Sequence, residues 1–386
     1  MRVRVLGCLS AGLLLAGAAF FTTEQAAAQT GEPYKLGTFS IDGRTSVGVV
    51  LRDSIVVDLA AANRDYETKN ASAAKVQAPA DMKDLINRYD SGVSQRIKQI
   101  VAGLVTAKQL DGTARPAFVR NVSAVKTLPP IIYPGKSLNA AANYYGHAGE
   151  TGTPEEQKKE ADARRKDRGA PYLFLKAMEG AVIGDGDDIL MPRGRERVDW
   201  ECELAIVIGK KAKYVTAAQA KDYIFGYTIE LDMSDRGGRP EKEPRFGGSD
   251  WFIGKSHDTF APMGPWIVPK EFYRDPMNIG QKLTVNGKVM QDSRSTDMIH
   301  NVYELIEYST SILTMFPGDV IASGSPAGTG MSRSVRPEQI WLKAGDKIVA
   351  SIEGIGTMTH NVKADPGPEP KKIWTDPPKT DGQQKK

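Results

Sequence analysis

The chain has 386 residues, of which 40% are hydrophobic, 25% charged and 8% aromatic, the composition of a globular protein with enough apolar material for a large core. Collagen, a wholly disordered chain and a disulfide-stapled miniprotein are excluded. Lys and Arg total 51 against 47 Asp and Glu, and the net charge of +4 is too small and too dispersed for a nucleic-acid surface.

At the N-terminus, Arg2 and Arg4 precede an apolar stretch over residues 5–21, followed by a polar break over 22–25 and the small-residue run Ala26-Ala27-Ala28. This order predicts a cleavable signal peptide over residues 1–28, export to a bacterial periplasm, and no stable membrane association once the leader is removed. Cleavage would leave one cysteine, Cys202. An exported chain with a single thiol forms no internal disulfide, so its stability rests on core burial, with a metal or partner subunit as further support.

Residues 34–59 alternate in short runs between turn residues and predict a small β-meander. Ile97, Ile100, Val101 and Leu104 fall at i, i+3, i+4 and i+7, one face of an amphipathic helix. Pro129, Pro130 and Pro134 then mark a boundary, giving a small N-terminal α/β domain over 29–128 and a larger domain over 129–363. Within the larger domain, residues 200–208, 223–233, 281–285 and 347–355 read as strands. Val302, Leu305, Ile306, Ser309 and Ile312 read as one helix ended by Pro317 and Gly318. The absence of an alternating βα pattern argues against a Rossmann sheet or a TIM barrel. The expected class is α+β, predominantly β. Residues 364–386, rich in Pro, Lys, Asp and Gln, read as a flexible tail.

The chemistry concentrates in the larger domain. In Val198-Asp-Trp-Glu-Cys-Glu-Leu-Ala-Ile-Val-Ile-Gly209 an extended backbone puts Glu201 and Glu203 on one side, with Cα atoms roughly 6.5 Å apart. The apolar run after them marks a strand buried on both faces. Two carboxylates so placed repel one another and resist desolvation, so one stays protonated or a cation neutralises the pair, most simply a hard divalent ion. A second strand carries Glu230 and Asp232, again on one face, and spacing does not choose which of them would complete an oxygen-ligand set. Cys202 points to the opposite, apolar side and reads as inert core. His147 and Glu150 lie in Asn143-Tyr-Tyr-Gly-His-Ala-Gly-Glu150; a single helical turn would make them neighbours, and a carboxylate beside an imidazole orients it to take a proton from water. Ser323-Gly-Ser-Pro-Ala-Gly-Thr-Gly330 is a glycine-rich loop able to present amides and hydroxyls to an anion. It lacks the lysine of a phosphate-binding loop, and no G-x-S-x-G segment offers a serine nucleophile.

Together with Phe174-Leu-Lys176, Gly226-Tyr-Thr-Ile-Glu-Leu-Asp-Met-Ser-Asp-Arg236, Gly254-Lys-Ser-His-Asp-Thr-Phe-Ala-Pro-Met-Gly-Pro265 and Gln291-Asp-Ser293, these segments resemble the fumarylacetoacetate hydrolase family in order and spacing, from about residue 129 to 362. The N-terminal module resembles the small domain that many members carry. The resemblance implies a mixed β-sandwich or roll, a homodimer, and Mg2+ or Mn2+, with Ca2+ as a further option, held by Glu201, Glu203 and Asp232. It implies that His147 and Glu150 activate water on a lid that orders with substrate. Lys255 and Arg236 would line the substrate and stabilise developing negative charge. Ser325, standing where the family usually has Thr, would hold the substrate's carboxylate together with loop amides such as that of Gly324.

The implied reaction is metal-dependent hydrolysis of a C–C bond in a 2,4-diketo acid or acylpyruvate, a small keto-acid substrate. The alternatives are isomerisation of 2-hydroxyhepta-2,4-diene-1,7-dioate, oxaloacetate decarboxylation, and non-catalytic periplasmic binding of a keto acid. After Arg236, relatives often have Asp and, two residues later, Gln. Here Gly237, Gly238 and Arg239 follow, so Arg239 joins the expected substrate contacts and the distal pocket is expected to favour a more anionic group. His257 replaces a frequent aromatic and reads as packing. The charged stretch over 151–169 reads as a solvated lid extension.

Overall fold

The structure is a computed structural model and describes residues 31–112, 115–150, 152–238, 250–331 and 341–368. The expected leader over 1–28, Arg239 and most of the expected tail lie outside these residues.

The N-terminal meander forms as an antiparallel set, Lys35–Ile41, Arg44–Leu51 and Ile55–Asp58. Asp42 and Gly43 close its first hairpin with φ of 50° and 74°, the twist-matched two-residue turn that favours Asp-Gly. Asp58 then caps the helix Leu59–Lys69 by accepting from the amides of Ala60 and Ala61 at 3.1 and 3.2 Å, which satisfies two of the amides a helix start leaves unpaired. The predicted stripe of Ile97, Ile100, Val101 and Leu104 is the buried face of the helix Val93–Thr106.

The meander does not stand apart from the rest in hydrogen bonding. Leu36 pairs with Ile267, joining the N-terminal strands to a twelve-stranded sheet. From the strand Ala261–Pro269 the sheet continues through Ile224–Leu231, Cys202–Ile208, Val320–Ala322, Ser137–Ala140 and Leu173–Leu175. Cys202–Ile208 and Ile224–Leu231 are buried at every position, as a two-sided core strand requires. A five-stranded sheet packs nearby, including Gly280–Val285, Lys347–Ile352 and Gly356–Ala364. The class is α+β and strand-rich, as expected.

Two predicted boundaries move for local reasons. The strand expected from Trp200 begins at Cys202, because the Asp199 carboxylate accepts the Trp200 amide at 2.8 Å and turns the backbone out of the ladder. The helix Val302–Ile312 stops before Pro317, where the chain becomes extended at Leu313. Among the described residues no helix is long and apolar enough to cross a membrane.

Candidate functional site

The antiparallel pairing of Cys202–Ile208 with Ile224–Leu231 sets Glu203 opposite Glu230. One step beyond the ladder, the Asp232 amide donates to the Glu201 carbonyl at 2.9 Å. Four carboxyl side chains are thereby gathered at one end of two buried strands. Oxygens of Glu201, Glu203 and Asp232 lie within 4.8 Å of one another, and all three residues are buried. Glu230 is drawn off by the neighbouring strand, its oxygens accepting from Ser137 Oγ and Asn139 Nδ2 at 3.0 Å each. The choice that spacing left open between Glu230 and Asp232 thus falls, in the geometry, to Asp232.

Three cations are set among these acids. Lys255 ends the short helix Trp251–Lys255, and its Nζ donates to Asp232 Oδ2 at 2.5 Å, Ser234 Oγ at 2.6 Å and Glu201 Oε2 at 2.8 Å. Lys176 bonds the other Asp232 oxygen and donates to the Met233 carbonyl at 3.2 Å. Arg236 bridges Glu201 and Asp199, donating to the latter at 3.1 Å.

The electrostatics are uneven. Burial alone would raise Glu201, but Arg236 and Lys255 overturn this and hold it well below the usual carboxylate range. Glu203 goes the other way, pushed well above that range by burial and by Asp232 and Glu201; the Gly324 amide donates to it at 2.7 Å. Burial also raises Asp199, to about 6, against the pull of Arg236. Fully ionised, Asp199, Glu201, Glu203, Glu230 and Asp232 would exceed Lys176, Lys255 and Arg236 by two negative charges, the excess that the upward shift of Glu203 relieves. An all-oxygen, buried, electron-rich set with that excess fits one hard divalent cation.

His147 and Glu150 are brought together by a tight turn in which the Ala148 amide donates to the Tyr144 carbonyl at 3.0 Å and the Glu150 amide to the His147 carbonyl at 3.2 Å. His147 Nδ1 contacts Glu150 Oε2. Glu150 is buried and accepts further bonds from the Gly328 amide and from Thr329 Oγ1, the latter at 3.0 Å. The glycine-rich loop therefore grips the pair from behind.

Both groups open on one cavity of about 490 Å3, whose walls include His147, Glu150, the three clustered acids, Arg236, Lys255 and Ser325. Ser325 Oγ accepts from Gln291 Nε2 at 2.9 Å and donates to the Pro326 carbonyl at 3.1 Å. Gly324, expected to face substrate, instead spends its amide on Glu203. Its φ of +93° and an Ala140 carbonyl 2.8 Å from where a Cβ would stand leave room for glycine alone.

His257 packs edge-on against Phe260 at 5.0 Å and bonds Asp235 at 3.2 Å, in line with a packing role. Cys202 is fully buried, and burial pushes its thiol far up. The charged stretch forms the helix Pro154–Lys166, largely solvated as expected, yet Arg164 reaches the cavity wall. Sequence reasoning gave no role to Lys176, Asp199, Gln291 or Thr329. Lys176, Asp199 and Gln291 stand in the segments that carry the resemblance, and Thr329 stands in the glycine-rich loop, but only the fold shows what their side chains hold.

Known proteins resemble this chain in sequence and fold. Residues 136–363 match the family model described as the fumarylacetoacetate (FAA) hydrolase C-terminal domain. A mitochondrial oxaloacetate tautomerase of Bos taurus is 34% identical over 266 residues, 69% of this chain and 78% of that protein. Among solved structures, a maleylpyruvate hydrolase from Sphingobium sp. SYK-6 in complex with manganese(II) and pyruvate is 27% identical with a TM-score of 0.60, covering 86% of this chain and 99% of that one. A 2-hydroxyhepta-2,4-diene-1,7-dioate isomerase from Mycobacterium marinum is 27% identical with a TM-score of 0.57, covering 86% and 100%. With the matched model spanning more than half of the chain and enclosing the whole acidic cluster, the chain belongs to the fumarylacetoacetate hydrolase family.

Proposed function

We propose that the protein is a metal-dependent hydrolase that cleaves the C3–C4 bond of acylpyruvates. The observation that carries this reading is the His147–Glu150 contact, braced by Gly328 and Thr329 and opening on the cavity that holds the acidic cluster. Glu201, Glu203 and Asp232 would hold a divalent cation, which when bound supplies Lewis-acid stabilisation and a chelation point for a 2-oxo acid. A relative that carries manganese and pyruvate together supports that assignment.

The remaining work falls to the chain's own groups. With Nδ1 engaged by Glu150, Nε2 is the His147 nitrogen left to take a proton from water. The hydroxide so formed attacks the C4 carbonyl, the C3–C4 bond breaks, and its electron pair leaves as the enolate of pyruvate. Lys255 and Arg236 stand beside the cluster and offset the charge that develops there. His147 returns its proton to C3, so that an acylpyruvate and water become a carboxylic acid and pyruvate.

A second reading, proton transfer at C3 of oxaloacetate without bond cleavage, is favoured by the 34% identical tautomerase. The two separate in one experiment. Purified protein with Mg2+ or Mn2+ should release pyruvate from acetylpyruvate, lose that activity on chelation, and lose at least about a hundredfold in kcat in His147→Ala. Pyruvate release undiminished in His147→Ala would overturn the hydrolytic reading. Oxaloacetate enol–keto conversion with no acylpyruvate cleavage would establish the second.

A further inference from the structure

The cavity is built in two halves, and the mechanism uses only the inner one. Its outer wall carries Tyr172, Phe174 and Trp251, with the small residues Ala140, Ala141 and Ala142 also lining it. The three rings touch: Phe174 and Trp251 have centroids 4.7 Å apart, Tyr172 and Trp251 5.6 Å. They arrive from separate elements, Phe174 on the strand Leu173–Leu175, Tyr172 just before it, and Trp251 at the start of the helix that ends in Lys255. Despite these contacts Tyr172 and Trp251 keep 56% and 39% of their surface exposed, a contiguous aromatic patch of the kind that marks a binding surface.

Lys255 ties this wall to the acidic cluster. Its Nζ, 2.5 Å from Asp232 Oδ2, lies 5.0 Å from the centroid of Phe174 and 5.8 Å from that of Trp251. The rings thus begin within a few bond lengths of where a 2-oxo acid head would be held. Among the described residues, the outer half offers little free positive charge. Arg164, its cation among the described residues, has its Nε on Glu160 Oε1 at 3.0 Å.

We infer that Tyr172, Phe174 and Trp251 form a specificity subsite for a flat apolar tail, so that the preferred substrates are aroylpyruvates or their conjugated alkenyl counterparts. The inference rests on the proposed function only in placing the 2-oxo acid head at the acidic cluster. Offset or edge-on contact with rings already in mutual contact rewards a planar group. A second carboxylate in the same position would be desolvated against aromatic faces, so the inference departs from the more anionic distal group expected from Gly237, Gly238 and Arg239.

Calorimetric titration of the full chain with Mn2+ tests this with three probes that share one head and differ in tail: 2-oxobutanoate, 2-oxo-4-phenylbutanoate and 2-oxoglutarate. The phenyl probe should bind at least about tenfold tighter than either of the others. Tyr172→Ala and Trp251→Ala should each cut that advantage by about fivefold or more; both side chains are partly exposed, and circular dichroism checks that the variants fold. No measurable binding of the phenyl probe, binding of 2-oxoglutarate as tight as that of the phenyl probe, or a phenyl advantage intact in both variants would overturn the inference. Turnover is scored separately. A ring-dependent phenyl preference without acylpyruvate cleavage upholds the subsite and sinks the hydrolase reading, whereas cleavage of acetylpyruvate with no phenyl preference does the reverse.

Discussion

At the scale of single residues, the glycine-rich loop acts by holding other groups. The Gly328 amide and Thr329 Oγ1 bond Glu150, the Gly330 amide bonds Asp199, and the Gly328 carbonyl accepts from Trp200 Nε1 at 3.0 Å. One short segment thereby indexes the His147–Glu150 pair against the acidic strand. Thr329 is a positioning residue, since it touches Glu150 and not the cavity. Loss of a hydrogen bond to a charged group costs about 1.5–3 kcal/mol, so Thr329→Val should lower kcat by about 10- to 100-fold and leave KM nearly unchanged. Thr329→Ser should restore most of the rate; steady-state kinetics on the three proteins decide it, and a loss confined to KM would rule out this role. The Thr329 side chain illustrates where sequence reading stops. The acids, the histidine and the loop were legible as types with spacing, but a hydroxyl's partner 179 positions away is a product of tertiary folding. Gly324 shows the same limit in reverse, because its loop suggested an anion site and the fold gave its amide to Glu203.

At the scale of elements, the helix Pro154–Lys166 is the part whose role the sequence left most open. Its start is strongly specified. Thr153 accepts the Glu156 amide at 3.3 Å, Glu156 returns the bond to the Thr153 amide at 2.7 Å, and Pro154 occupies the first turn. Just past its end, Arg168 makes a forked pair with Glu304 at 3.0 and 3.1 Å and donates to the Ile299 carbonyl at 3.0 Å. Between these anchors the helix lies against the turn that carries His147 and Glu150, with Glu160 and Gln157 crowding Gly149. Only Ala161 is buried among the helix residues, so the element depends on its caps more than on core packing. Thr153→Ala should remove about 1 kcal/mol of local stability, which spread over a chain of this size is a Tm change of only about 1–2 °C. Hydrogen exchange should therefore quicken over residues 154–160 while the Tm barely moves. Protection unchanged there would mean that tertiary contacts, and not the capping box, hold the helix.

At the scale of the whole molecule, periodicity revealed the elements that bury one clear face, and the N-terminal helix with Ile97 and Leu104 is the plainest case. It did not reveal that Leu36 would pair with Ile267 and merge the N-terminal strands into one sheet with the site-bearing ones, because edge-to-edge pairing leaves no local signature. The smaller sheet carries His360 on the strand Gly356–Ala364. The ring is fully buried, its Nδ1 lies 2.8 Å from the Asp187 carbonyl, and Asp185, Asp187 and Asp188 are its charged neighbours. Burial outweighs these acids and holds His360 below the usual imidazole range. The folded chain thus keeps the ring neutral where the unfolded chain, with a pKa of about 6.5, takes up a proton. Its contribution to stability is present above that value and is lost as pH falls below it, by up to about 1.4 kcal/mol per pH unit. Burial raises Asp185, which works in the opposite direction. Asp199, raised to about 6, and Glu203 likewise act with the sign opposite to that of the ring in this range, so the share of the ring is read by comparison: between pH 7.5 and 5.5, urea unfolding should show His360→Gln, which cannot titrate, gaining about 1 kcal/mol on the unsubstituted protein. An equal pH dependence in the two proteins would show that the acid sensitivity of the fold arises from other groups.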